Sequence, residues 1–123
     1  MTAISQSLED YLEAVYMQIV DSGVAQVRDI ASMLSVKMPS VVKAIRELKK
    51  LGLVLQEPYA NIELTEKGER LARRVLNRHT LIRSFLMKLG VSRRTADKDA
   101  CLMEHILSAE TLDKIRLYTT EKK

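Results

Sequence analysis

The chain of 123 residues has no tryptophan, one phenylalanine and one cysteine, with only four glycines, two prolines and two histidines. A single cysteine excludes an internal disulfide and fits a reducing compartment. With Gly and Pro scarce and Leu, Ala, Lys, Arg and Glu plentiful, helix is favoured over sheet, and the shortage of aromatics calls for an aliphatic core. No apolar run approaches the ~20 residues of a membrane span. The opening MTAISQSLED lacks a basic stretch followed by an apolar one, so no signal peptide is expected and the cytoplasm is the expected location. There is no glycine-rich phosphate loop, nucleophile elbow or zinc-protease motif, so an enzyme is not expected.

The net charge of +4 is unevenly spread. Arg28, Lys37, Lys43, Arg46, Lys49 and Lys50 outnumber Asp29 and Glu47, and Lys67, Arg70, Arg73, Arg74, Arg78 and Arg83 outnumber Glu66 and Glu69. The first 22 residues hold Glu9, Asp10, Glu13 and Asp21 without a cation. One region suits a polyanion, another a cation.

Hydrophobic spacing then orders the chain. SLEDYLEAVYMQIVDSG predicts a helix with Ser7 as N-cap, Gly23 as stop and an apolar stripe of Leu8, Tyr11, Leu12, Val15 and Ile19. A short helix over 29–34 breaks at SVKMP, and Pro39 suits the first turn of the next helix, PSVVKAIRELKKLG, in which Val41, Ile45 and Leu48 face inward. Two short helices with a tight turn, the second basic, describe a helix-turn-helix. LVLQE and NIELT, separated by PYA, read as a hairpin, the wing of a winged helix-turn-helix. A helix of about 25 residues from Thr65 to Gly90 follows, then SRRTADKDACLMEHILS with Ser92 as N-cap, then AETLDKIRLYTTEKK with a fraying tail. The expected fold is mainly α: an N-terminal winged helix over 1–70, joined by the long helix to a small helical domain over 71–123.

A helix-turn-helix places its second helix in the major groove of double-stranded DNA. Lys37, Pro39, Ser40 and Lys43 stand where base contacts would come, and Arg28, Arg46, Lys49 and Lys50 where the backbone would be held. The competing reading is a solvated cationic face. A homodimer reading a palindromic operator, recognition helices about 34 Å apart, is expected, with the apolar C-terminal helices as its interface.

The segment DACLMEHILS gathers Cys101, Glu104 and His105 on one side of a continued helix, with Leu102, Met103, Ile106 and Leu107 on the other. Asp10 and Glu13 share a face of the first helix, and His79 lies on the long one. Together they offer O, N and S donors suited to a divalent first-row transition metal. Taken singly, the carboxylates read equally as a solvated face, His79 as a helix-surface residue and Cys101 as a small buried hydrophobe.

In their order, SLEDYLEAVY, DIASMLSVKMPSVVKAIRELKKLGLV, IELTEKGERLA, NRHTLIRSFLMKLGV and DKDACLMEHILS resemble the iron- and manganese-dependent repressors, the diphtheria toxin repressor and manganese transport regulator family, over residues 7 to about 110. The resemblance implies a winged helix, a helical metal-binding and dimerisation domain, and Fe²⁺ or Mn²⁺ acting as corepressor at metal-uptake genes, with Zn²⁺ or Co²⁺ as substitutes in vitro. Asp10, Glu13, His79, Glu104 and His105 match ligand positions of manganese-type members. Cys101 instead matches iron-type members, which carry Met where this chain has Asp10. Arg83 replaces a Glu of the iron-type secondary site, and the wing tip EPYANIE lacks the basic and glycine residues of relatives. The chain stops soon after its last helix, so a reduced dimer surface is expected. A bound ion would tie the first helix to the C-terminal half and so favour DNA-competent molecules. The rivals are a metal-independent winged-helix transcription factor and a winged-helix protein-interaction module.

Overall fold

The computed structural model describes residues 4–58 and 60–121; the initial MTA, Tyr59 in the expected PYA turn, and the last two residues of the expected fraying tail lie outside the described residues. The chain divides into two compact units, one up to Arg73 and one from Arg74 on. Six helices and one small hairpin make up the described secondary structure.

In the first unit, α1 (Gln6–Ser22) starts two residues before the sequence suggested, because the Ser5 hydroxyl accepts the Leu8 amide at 3.1 Å. Gly23 ends it in the left-handed region, φ 86°, donating its N–H to the Ile19 carbonyl, a conformation that costs glycine little. The helices α2 (Val27–Leu34) and α3 (Met38–Lys50) follow, with Pro39 in the first turn of α3 as expected. Between them Ser35 adopts φ 56° and the Val36 amide returns to the Ala31 carbonyl at 3.0 Å, which closes the tight turn. Leu12, Val15, Ile30, Val41, Leu48, Leu53 and Ile62 form an aliphatic core with almost no exposed surface. Each such side chain contributes roughly 1.5–3 kcal/mol by leaving water.

The wing is shorter than LVLQE and NIELT suggest. Among the described residues its strands are β1 (Val54–Leu55) and β2 (Glu63–Leu64), paired antiparallel with Val54 opposite Leu64. No pattern in the chain announces a third edge, in which Ala25 bridges Ile62 and Gln26 Nε2 donates to Asn61 Oδ1 at 3.1 Å.

A knot of backbone contacts fixes the start of α4 (Glu66–Lys88). Thr65 accepts the Gly68 amide on its Oγ1 at 3.0 Å and donates that hydroxyl to the Gly52 carbonyl at 2.7 Å. A Cβ on Gly68 would sit 1.9 Å from the Leu53 carbonyl oxygen, so only glycine fits there.

The second unit holds the rest of α4, α5 (Arg93–Met103) and α6 (Ala109–Glu121). Ser92 caps α5 as expected. Ile82, Ala100 and Leu112 pack as a core with Leu81, Leu86, Met103 and Leu107 around them, and Val75, Ala96 and Ile115 are buried as well. Phe85 meets Tyr118 edge to face, centroids 5.6 Å apart.

Candidate metal centre and nucleic-acid interface

The sequence reading continued α5 through residues 104–107, but the helix stops at Met103 and residues 104–106 form a turn. Ser108 then caps α6 by accepting the Thr111 amide at 3.2 Å, so the chain has left the preceding helix by that residue. The expected apolar face therefore splits: Met103 and Leu107 pack inward, whereas Leu102 and Ile106 are exposed.

The turn carries the chemistry inward. The Glu104 carboxylate is fully buried, with Oε1 3.0 Å from His79 Nδ1 and Oε2 3.5 Å from His105 Nε2. Among the described residues Oε2 has no hydrogen-bond partner. A buried carboxylate oxygen without a hydrogen bond is costly, and a cation is the natural remedy. His79 and His105 are themselves nearly buried, at 13% and 3% side-chain exposure. His79 is thus no helix-surface residue.

On the other side of His79, Nε2 lies 3.2 Å from Asp97 Oδ1, and Arg83 Nη1 donates to the same oxygen at 2.9 Å. His79 and Arg83 are four residues apart on α4 and so share the face turned to α5. Its partners raise the His79 pKa to about 10, through hydrogen bonds with Cys101 first and Glu104 next, against the opposing effect of burial. The Arg83 guanidinium holds Asp97 below the usual carboxylate range. Cys101 is exposed, which corrects its reading as a buried hydrophobe. Imidazole, carboxylate and thiol in one small unit fit a divalent transition metal, and the orphaned oxygen of Glu104 gives such an ion a place.

On α1, Asp10 is half-buried and Glu13 is buried at 8% exposure, so the solvated-face reading fails for Glu13. Sequence reasoning missed Asp97 altogether. Its signal, a carboxylate in the second turn of a helix, is no different from that of any surface acid.

The residues expected to contact DNA are all exposed: Arg28 on α2, Lys37 as N-cap of α3, and Pro39, Ser40, Lys43, Arg46, Lys49 and Lys50 along α3. Val41, Ala44, Ile45 and Leu48 bury the opposite face as expected. Lys49 is already engaged, donating from Nζ to the Gln56 carbonyl at 3.0 Å, which ties α3 to the wing. Met38 and Val42 leave an apolar strip beside Lys43 and Arg46.

Comparison with known proteins decides the family. The domain described as iron dependent repressor, N-terminal DNA binding domain, matches residues 3–62, and the iron dependent repressor metal binding and dimerisation domain matches residues 65–121. The chain belongs to the iron-dependent repressor family. An HTH-type transcriptional regulator of Methanocaldococcus jannaschii is 38% identical over 117 residues, covering 94% of each chain. The HTH-type transcriptional regulator MntR of Lysinibacillus sphaericus is 40% identical over 109 residues, covering 89% of this chain and 78% of that one. Among solved structures, the manganese regulator SloR superposes with a TM-score of 0.81 at 29% identity, over 92% of this chain and 53% of that one. The chain therefore spans about half the length of that solved relative. Members of the iron-dependent repressor family are DNA-binding, dimerising regulators rather than enzymes, and membership sets aside both rivals raised by the sequence. Among the described residues no helix is long and apolar enough to cross a membrane.

Proposed function

We propose that this chain is a cytoplasmic repressor of metal-uptake genes, active as a homodimer on a palindromic operator, with Fe²⁺ or Mn²⁺ as corepressor and Zn²⁺ or Co²⁺ as substitutes in vitro. The proposed ligands are Asp10 and Glu13 of α1 with His79, Cys101, Glu104 and His105 of the second unit. The observation that carries this reading is the buried Glu104 carboxylate, set between two imidazoles with one oxygen unsatisfied. Bound, the ion would supply positive charge to this cluster of acids and imidazoles in place of the proton that His79 carries without it. The family match supports the metal role, and the manganese named for SloR supports that ion in particular.

The functional division is proposed near residue 70: DNA reading over 1–70, metal holding and dimerisation over 71–123. Lys37, Pro39, Ser40 and Lys43 would meet base edges, while Arg28, Arg46, Lys49 and Lys50 would hold phosphates. Exposed Leu102, Ile106, Leu117 and Tyr118 on the second unit support it as the dimer surface. Because α1 belongs to the DNA-reading unit, a metal that also takes Asp10 and Glu13 has a means of changing how that unit is held. Titration of Mn²⁺ or Fe²⁺ under anaerobic conditions, with DNA binding followed by fluorescence anisotropy, tests the reading. Affinity for the operator should rise with metal; affinity unchanged by metal would overturn it.

A further inference from the structure

We propose that Asp97 is the positioning residue for His79: it holds the ring as the Nε2–H tautomer, leaving Nδ1 as the metal-binding nitrogen, and Arg83 anchors Asp97 for that task. This deepens the proposed function and rests on its assignment of His79 as a ligand. A neutral imidazole binds metal through one nitrogen, and the hydrogen bond at the other nitrogen decides which.

Both ring nitrogens of His79 face carboxylates, but the two acids differ. Glu104 is buried, and the oxygen it leaves unsatisfied marks the side where a cation is wanted. Asp97 is 42% exposed, and its Oδ1 is already shared by Arg83 Nη1 at 2.9 Å and His79 Nε2 at 3.2 Å, with Arg93 Nε 3.9 Å from its Oδ2. A carboxylate so occupied by cations makes a poor metal ligand and a good fixed acceptor. Nδ1 points to Glu104, and Nε2 to the anchored acid. The Arg83 and His79 side chains leave the same face of α4, so the relay Arg83, Asp97, His79 spans α4 and α5 entirely inside the second unit. An Asp–His–metal chain of this kind typically accounts for about 10- to 100-fold in metal affinity.

The test uses the full chain with Zn²⁺ as a diamagnetic probe. Long-range ¹H–¹⁵N correlation spectra resolve the ring nitrogens, and the chain has only two histidines to assign. In the Zn²⁺-loaded protein His79 should show a protonated Nε2 and a metal-shifted Nδ1. Asp97→Ala should weaken Zn²⁺ binding, measured by chelator competition, about 10- to 100-fold, and should lose the single tautomer. Asp97→Asn keeps an acceptor oxygen and should return affinity to within a few-fold of wild type. Metal on Nε2, or an Asp97→Ala variant that binds Zn²⁺ as tightly with the same tautomer, would overturn the proposal while leaving His79 a ligand. Zn²⁺ that perturbs neither imidazole would overturn the metal reading itself, and the proposal with it. Should Asp97→Ala fail to fold, the wild-type tautomer and the Asp97→Asn affinity still decide.

Discussion

At the scale of the residue, the proposed role of His79 as a ligand would tie protonation to metal. Metal-free, it is a cation held between Glu104 and Asp97, with its pKa raised to about 10. A folded-state pKa above the unfolded value means stabilisation that is complete below about 6.5 and is lost as pH rises through the folded-state value. Urea unfolding of the metal-free chain should therefore show a midpoint that falls between pH 7 and pH 10.5, and His79→Gln should flatten that decline. The ligand nitrogen must lose its proton before it can bind metal, so uptake should release protons and apparent affinity should climb with pH over the same range. Calorimetry in two buffers of different ionisation enthalpy measures that release. Chemistry of this sort was only half legible. The sequence offers Cys101, Glu104 and His105 as a group, but the turn at 104–106 in which Glu104 is buried breaks the helix, and spacing at 100° per residue does not reveal that break.

At the scale of the element, the winged helix is governed by a few contacts that the sequence announces unequally. The inward face of α3 and its Pro39 start follow directly from periodicity and from the fixed φ of proline. The wing does not, because its pairing reaches only four residues and its third edge comes from Ala25, far away in the chain. Gly68 looks like an ordinary helix defect until Leu53 is seen against it. Gly68→Ala, favourable by helix propensity alone, should instead destabilise the first unit by roughly 1–3 kcal/mol, the usual cost of overpacking. Thermal unfolding followed by circular dichroism checks the sign. On α3, Lys43→Ala and Lys50→Ala should part company: the phosphate contact proposed for Lys50 should weaken binding to all sequences and lower the salt slope by about one, whereas Lys43 should relax preference at one operator position. Anisotropy titrations at several salt concentrations with cognate and scrambled DNA separate the two outcomes.

At the scale of the whole molecule, stability and regulation share a cause. The second unit comprises only the part of the chain from Arg74 on, while Leu102, Ile106, Leu117 and Tyr118 stay exposed. A unit of that size buries too little surface to be robust alone, so partner and metal should both stabilise it. Its thermal midpoint should rise with protein concentration and again with Mn²⁺, as differential scanning fluorimetry can follow. The family was legible because segments from both units recur in order, and the structure adds the buried acids and the relay behind His79. The proposed corepressor ion draws its ligands from α1 and from the second unit alike. Anaerobic calorimetric titration of Mn²⁺ into wild type, Glu13→Gln and Glu104→Gln tests it most directly. Each substitution, although on a different unit, should remove tight binding; a Glu13→Gln variant that binds Mn²⁺ as wild type does would overturn the shared site.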